Sequence, residues 1–507
     1  MKLIISVLLF VCITICGSFI NLVNSQQAHV SCQYSHTLQD DAILLPDSSG
    51  YSMIHDFFGN TKVNGFTTIE SIYDYKNSDT TCDNKVDGSS YWVPSLKINE
   101  YQYRPTMIKV YYQGHNNTFY PNNPMPKGLQ LIAGSPKNTK EDWNIWYLCK
   151  GRGFSRTPFT DCDKNNETQI TQYNFNLIFP NCWDGVNIRP NFTYRNAAYD
   201  YSGDNEKGRC PEAYPVRIPQ LNMQLAYFIR ESNWTNAQLS LNPIINSGGS
   251  RTFPWANLFS AHADFFNGWP EQTMKFMIEE CLNKGVTCGN DLPRIYTFIK
   301  NSYAMINCKK SSQTVAQIDS TGLNVPYVKI VIPAEAKTEI WSEVVLDLWA
   351  ANNDPNAKPN FFFGYLVTPE EFASDSPVCP NKSSDVQLYI DGQWGYHSIN
   401  VTQLVINTMK NNQNEIHLCF TADGPSTYSM QTANTDHPPR LLFKHPGAEV
   451  NENVQEAILY RPPTDPLMTS TTSDPLTSTT GFNSCSTHLP SILLSFIMIT
   501  ITFMFLL

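Results

Sequence analysis

The 507-residue sequence lacks the short motifs of several common enzyme classes. It contains no Gly-x-Ser-x-Gly, no glycine-rich phosphate-binding loop and no His-Glu-x-x-His, so serine-hydrolase, nucleotide-binding and zinc-protease functions gain no support. It also has no Cys-x-x-Cys pair, which argues against a zinc-ribbon or thioredoxin-like site. The net charge is −10, with 35 Lys and Arg against 45 Asp and Glu, and we therefore expect no nucleic-acid partner.

The N-terminal segment has the composition of a cleaved secretory signal. Residues 1–25 combine Lys2 with an apolar run, Leu3–Cys16, and end in small residues around Val23 and Ser25. The apolar run is short for a membrane-spanning helix, and polar residues follow it directly. We therefore expect residues 1–25 to be removed and the protein to be extracellular.

The C-terminal segment predicts attachment to the cell membrane by a lipid. Leu489–Leu507 contains no charged residue, and no Lys or Arg follows it as the cytoplasmic stop of a transmembrane helix. Small residues precede this tail, as in a glycosylphosphatidylinositol signal. We expect residues 484–507 to be removed and the lipid to be attached at Asn483 or the serine after it, with a transmembrane tail as the alternative. Residues 446–483, rich in Ser, Thr and Pro, are then a stalk without a hydrophobic core.

Eleven cysteines remain when the three in the terminal segments are removed from the total of 14. In an oxidising compartment most of them should form disulfides, and the odd number leaves one thiol that is free or links two chains into a dimer. Cys379 and Cys419 are the only two in the C-terminal part, so we expect them to pair. Six Asn-x-Ser/Thr acceptors predict surface N-glycosylation at Asn116, Asn166, Asn191, Asn233, Asn381 and Asn400.

Strand patterns dominate both halves of the chain, so we expect a mainly β protein with one or two short helices. Met107–Tyr112 and Phe175–Phe179 alternate or run apolar between turn residues. A helix is expected after Pro270, because the apolar residues within Met274–Leu282 share one face.

A polar stretch at residues 309–314 predicts a domain boundary. We expect a disulfide-bonded, β-rich domain at 26–310 and a jelly-roll-like β-sandwich at 311–445. The second region reads as strands throughout, with turn-rich links between them.

Several motifs appear in the N-terminal half in a fixed order. They include Ile54–Asn60, Ser90–Pro94 and His262–Trp269. In order and spacing they resemble DUF1996, a family of secreted domains from fungi and some protists, over residues 32–290. The resemblance implies a β-rich secreted fold and no settled activity. The sequence departs from the family at Met53, where a second His is common, and at Arg195, where the family commonly has a Ser-His pair.

A second and weaker resemblance covers residues 314–444. The segments that carry it are Tyr327–Ile330, Ile399–Val405 and Met430–Leu441. They are similar to the sandwich module called DNRLRE, or CBM96-like. That resemblance implies adhesion to glycans and assigns no residue to a site.

Two segments of the first domain carry the best candidates for chemistry. His55 and Asp56 lie in one family motif, and His262 and Asp264 lie in another. Brought together, these four side chains would serve as general acid and base on a glycosidic bond. They would equally bind one divalent metal ion, although no cofactor is required. The alternative is that they only hydrogen-bond to buried backbone and fix turns.

The sequence favours a non-catalytic cell-surface glycoprotein that binds polysaccharide of a wall, a matrix or a neighbouring cell. Trp183 and Trp92 are candidates for stacking on sugar rings. A secreted glycan-active hydrolase using His55, Asp56, His262 and Asp264 is the first alternative. A structural adhesion protein that self-associates through the unpaired cysteine is the second.

Overall fold

The computed structural model describes residues 27–445 and 459–460, apart from 75–78, 115–119, 202–207, 232, 307–308, 319–323, 354–359, 375–378, 380–383, 391–392, 423–426 and 434. Strands account for 42% of the structure and helices for 10%, which confirms the predicted mainly β fold. The predicted signal segment, the C-terminal tail and all but two residues of the stalk lie outside the described residues, together with Asn116, Cys308, Asn381 and Asn483. In the part that is described, no helix has the length and apolar character needed to span a membrane.

An antiparallel ten-stranded sheet organises the N-terminal half of the protein. Its order is β7-β19-β3-β2-β1-β6-β14-β10-β8-β9. The strands of this half are β1 (Gln27–Leu38), β2 (His55–Gly59), β3 (Ser90–Pro94), β4 (Leu96–Ile98), β5 (Tyr101–Tyr103), β6 (Met107–Gln113), β7 (Gln130–Gly134), β8 (Ile145–Cys149), β9 (Gly153–Ser155), β10 (Thr171–Ile178), β11 (Cys182–Trp183), β12 (Ala197–Ala198), β13 (Val216–Arg217), β14 (Gln220–Ile229), β15 (Gln238–Ser240), β16 (Ile244–Ile245), β17 (Arg251–Thr252), β18 (Trp255–Asn257) and β19 (His262–Phe266).

The long strand β1 divides this sheet into two parts. Its first residues pair with β6, and its last residues pair with β2. The register shifts between Tyr34 and His36, where the strand changes partners. The part formed by β7, β19, β3 and β2 carries the predicted His and Asp residues, and the part formed by β6, β14, β10, β8 and β9 forms a separate surface.

The C-terminal half is a sandwich of two six-stranded sheets. One has the order β20-β31-β25-β30-β23 with β28 beside β25, and the other has the order β22-β21-β24-β29-β26-β27. Its strands are β20 (Ile295–Phe298), β21 (Asn301–Ile306), β22 (Lys309–Ser311), β23 (Val315–Ile318), β24 (Val325–Val331), β25 (Glu343–Asn352), β26 (Asn360–Leu366), β27 (Val386–Ile390), β28 (Gly395–Asn400), β29 (Glu415–Ala422), β30 (Tyr428–Gln431) and β31 (Arg440–Lys444). A last strand, β32 (Leu459–Tyr460), pairs with β5.

The boundary predicted at residue 310 lies inside a hairpin of the sandwich. Ala304 pairs with Ser311 across β21 and β22, so a cut at 310 would divide two strands of one sheet. The sandwich instead begins with β20, at Ile295. The polar stretch was a poor marker, because it forms an exposed edge hairpin.

Short helices fill the remaining positions. The predicted helix after Pro270 is present as α1 (Glu271–Phe276) and continues as a π-helix over Met277–Leu282. The sandwich contains α2 (Pro369–Ala373) and α3 (Thr402–Lys410), although the sequence predicted strands throughout that region. In the described part of the chain, 3₁₀ turns lie at Ser71–Tyr73, Leu258–Ser260 and Ala334–Thr338.

Among the described residues, five disulfides join neighbouring segments. The predicted pair Cys379–Cys419 is present and ties a loop to β29 of the sandwich. The other four lie in the N-terminal half: Cys32–Cys82, Cys149–Cys162, Cys182–Cys210 and Cys281–Cys288.

A buried ion triad connects the two halves, which form one compact unit. The Arg440 guanidinium of β31 donates to Asp347 of β25 at 3.0 Å and to Glu280 of the π-helix at 2.7 Å. Both carboxylate side chains are only 4% exposed. Around the triad, Val345 and Leu442 of the sandwich pack in the same apolar core as the N-terminal half.

Candidate functional site

Three of the four predicted site residues converge on one face of the ten-stranded sheet. His262 and Asp264 are two residues apart on β19, and alternation along a strand places them on the same side. His55 lies on β2, with only β3 between the two strands. One potential ligand atom from each of the three side chains lies within 4.8 Å of the others.

The proline of β3 allows the two histidines to meet. His55 pairs directly with Pro94, and the register of β3 with β19 carries the same row on to His262. Since the ring of Pro94 is short, the two imidazoles approach across it, with ring centres 6.2 Å apart and planes nearly perpendicular. The neighbouring row on the same face contains Asp264, Trp92 and Phe57.

Backbone carbonyls fix the tautomer of both histidines. The Nδ1 of His55 lies 2.9 Å from the carbonyl of Asp40, and the Nδ1 of His262 lies 2.8 Å from that of Ser260. A carbonyl only accepts, so each Nδ1 carries the hydrogen and each Nε2 presents a lone pair. The Nε2 of His55 is buried and has no hydrogen-bond partner among the described residues. Burial lowers the pKa of each of the two histidines to about 4, so both rings are neutral at pH 7.

Asp264 is a buried carboxyl in an acidic neighbourhood. Burial, followed by the charge of Asp41, raises its pKa well above the usual value, and Arg195 opposes the shift. Asp41 is held by two backbone N–H groups, from Ile43 and Leu44, each at 2.9 Å. Asp41 was not singled out from the sequence, because its contribution depends on the fold of the segment that covers the sheet.

Asp56 does not join this group. It is the neighbour of His55 along β2, so its side chain points to the opposite face of the sheet. There it accepts a hydrogen bond from the Thr37 hydroxyl at 2.6 Å, and burial raises its pKa to about 6. The four-residue cluster expected from the sequence is therefore a group of three. Because neighbouring residues of a strand point to opposite faces, His55 and Asp56 could not both belong to it.

The His/His/Asp group is enclosed by protein. His55 is 1% exposed, His262 4% and Asp264 2%. An apolar layer that includes Ile43 and Ile72 packs over this face with Trp92. The sequence had suggested that Trp92 stacks on a sugar ring. Trp92 is fully buried, so it is not available for this role. The side chain of Trp183 remains partly exposed and donates from its indole to the carbonyl of Asn187.

The other part of the sheet presents a polar face. Along β14 every second residue is fully buried while the alternate ones are half-buried, so one face packs in the core and the other is partly accessible. Four half-buried side chains on this face form one row, because they are successive cross-strand partners on β8, β10, β14 and β6: Trp146, Asn176, Gln224 and Lys109.

Aromatic side chains mark one end of this row. The Arg156 guanidinium contacts two indoles, 3.4 Å from the ring centre of Trp143 and 4.2 Å from that of Trp146. Trp143 is 75% exposed, and Phe154 of the edge strand β9 is 62% exposed. We refer to the row and this aromatic group together as the amide–aromatic face.

The predicted glycosylation acceptors that the structure describes are all exposed. They are Asn166, Asn191, Asn233 and Asn400.

The fold and the site together define a disulfide-bonded, mainly β protein with an enclosed His/His/Asp group. Residues 41–269, which contain all three members of that group, match the family model described as "Domain of unknown function (DUF1996)". This match confirms the first resemblance noted in the sequence. No curated protein matches the chain.

Proposed function

We propose that this protein acts outside the cell and binds polysaccharide through the amide–aromatic face. The observation that carries the proposal is the row Trp146, Asn176, Gln224 and Lys109, which crosses four adjacent strands. Three interstrand spacings make this row about 14 Å long. The five disulfides support an extracellular, oxidising location.

The chemistry of the row suits a sugar chain. Each sugar hydroxyl both donates and accepts hydrogen bonds, and the amides of Asn176 and Gln224 offer both functions. The flat ring of Trp146 offers an apolar surface with a polar edge, which complements the mixed surface of a pyranose. Regular spacing along neighbouring strands matches the repeated units of a polymer better than the shape of a single small molecule.

The C-terminal sandwich adds a second surface to the proposal. It was the part of the sequence that resembled a carbohydrate-binding module. Its Tyr389 and Trp394 side chains are about half-exposed, at 51% and 47%. We include this sandwich as a second contact with the same polymer and place the main contact on the amide–aromatic face.

The hydrolase alternative has less support from the geometry. Glycosidases place two carboxyl groups about 5–9.5 Å apart on either side of the scissile bond. Asp56 and Asp264 lie on opposite faces of the sheet and are both fully buried, so they do not flank a common substrate position.

Replacing Trp146 by Ala should weaken polysaccharide binding by about 30-fold, because removal of an aromatic side chain that carries much of the binding energy typically costs about 2 kcal/mol. Binding of the mature protein to wall and matrix polysaccharides is measured by array and pull-down, followed by titration with the best ligand. Phe66→Ala is the matched control, since Phe66 is an exposed aromatic (60%) in the segment that covers the other part of the sheet. Saturable binding that is unaffected by Trp146→Ala, or no binding to any polysaccharide, would refute the proposal.

A further inference from the structure

We infer that His55, His262 and Asp264 form a binding site for one divalent transition-metal ion of the zinc type. The inference concerns the enclosed face of the sheet and is independent of polysaccharide binding. It rests on the convergence of the three side chains, on the orientation of the two imidazoles and on an unpartnered nitrogen.

The unpartnered nitrogen is the first argument. The Nε2 of His55 is buried without a hydrogen-bond partner among the described residues, in a side chain that is 1% exposed. A buried polar atom normally has a partner, because leaving it unpaired costs free energy. A metal ion bound to this lone pair would remove the penalty. The same nitrogen belongs to the side chain that converges with His262 and Asp264.

The orientation of the imidazoles is the second argument. In metal sites, a histidine ligand commonly donates its other ring N–H to a backbone carbonyl or a carboxylate, which fixes the ring and its tautomer. His55 and His262 both do so, through Nδ1, to the carbonyls of Asp40 and Ser260. These two hydrogen bonds are therefore in place before any ion binds. Each ring already presents Nε2 in the unprotonated form that a metal requires.

The distances and ligand types are the third argument. The three candidate ligand atoms lie within 4.8 Å of one another. Bonds of about 2.0–2.1 Å to a tetrahedral ion would bring them to about 3.4 Å, which requires small side-chain rotations. Two imidazoles and one carboxylate suit zinc and related ions, whereas calcium and magnesium prefer oxygen ligands alone. Three protein ligands leave a fourth coordination position open.

Because of the position of the site, a bound ion would stabilise the sheet by linking two of its strands. β19 and β2 are not hydrogen-bonded to each other, because β3 separates them. An ion held by His262 and Asp264 on one strand and His55 on the other would tie the two strands directly. It would also fix the covering segment, through the hydrogen bond from His55 to the carbonyl of Asp40.

The test measures metal content and affinity in the full secreted chain. We expect about one zinc ion per chain by mass spectrometry of the purified protein, as for a single three-ligand site. After removal of metal with a chelator, calorimetric titration with zinc chloride should show one site. His55→Gln and Asp264→Asn should each weaken zinc binding by at least ~100-fold, since loss of even an outer partner costs 10–100-fold.

His36→Gln is the matched control. His36 lies on the neighbouring strand β1 and is also mostly buried, but its Nε2 is 3.0 Å from the carbonyl of Val63 and has no free lone pair for a metal. This variant should bind zinc as the wild type does. Circular dichroism establishes that each variant is folded, and Asp264→Asn preserves the shape of the side chain. A wild-type chain that neither contains nor binds zinc would overturn the inference, as would folded variants at His55 and Asp264 that bind it normally.

Discussion

Replacing Arg440 by Met is expected to lower the free energy of unfolding by about 3–5 kcal/mol, the cost of leaving buried charges without their partner. Arg440 is the only cation that contacts Asp347 among the described ion pairs, and it shares Glu280 with Lys284. Both carboxylates are 4% exposed, so water cannot replace the guanidinium. The substitution also removes the stacking of Arg440 on Tyr396, at 3.8 Å.

Denaturant unfolding followed by fluorescence measures this loss. Lys329→Met is the matched control, because its partner Glu415 is 39% exposed and surface ion pairs contribute about 0–1 kcal/mol. A loss for Arg440→Met no larger than that of the control would show that the triad adds nothing to the junction of the two halves. A selective loss of structure in the sandwich would show that the junction stabilises that half more than the other.

Substituting Gly268 by Ala should destabilise the protein by about 3 kcal/mol or more, at the upper end of the cost of overpacking. Gly268 follows β19, where the backbone passes very close to the start of β3. A methyl group at this position would lie 2.2 Å from the carbonyl oxygen of Gly88 and 2.6 Å from the nitrogen of Ser89. Both contacts are with backbone atoms, so the main chain next to the end of β19 or the start of β3 would have to move.

Gly395→Ala provides the comparison, because a methyl group there would meet nothing within 4 Å and the backbone has no positive φ. This control should change stability by less than about 1 kcal/mol. Thermal unfolding of the two variants, measured side by side, separates the steric clash of the added methyl group from the general effect of replacing glycine. Equal stability of the two variants would contradict the close approach of Gly268 to β3.

The family motif His262–Trp269 shows what sequence reasoning reached and where it stopped. His262 and Asp264 were singled out from this motif, and the structure places them on one face of β19, because strand residues alternate. The same rule would have separated Asp56 from His55, but the two motifs were treated as one acid–base group. The end of the motif is structural: Gly268 permits a close backbone approach, and Trp269 donates to the Tyr112 hydroxyl at 2.9 Å. No local sequence pattern distinguishes these structural residues from the site residues of the same motif.

The strands were easier to predict than the junctions between them. Met107–Tyr112 was expected as a strand and forms most of β6, since its apolar residues alternate with polar ones. The helix α3 was missed because its short apolar pattern near Val405 resembles that of a strand. The boundary near residue 310 was misplaced because the pairing of Ile295 with Phe443 joins residues far apart in sequence. The amide–aromatic face likewise depends on the register of strands that are not consecutive.

The place of β31 in its sheet affects how the chain folds during synthesis. This strand is the last of the sandwich to be translated, yet it inserts between β20 and β25. Until Arg440–Lys444 has left the ribosome, β20 and β25 each have an open hydrogen-bonding edge. Glu280 also lacks its ion pair with Arg440 at that stage. Such edges recruit other chains, and pairings between distant segments form slowly. The sandwich therefore closes only after Arg440–Lys444 has been translated, and until then its open edges are available for pairing with other chains.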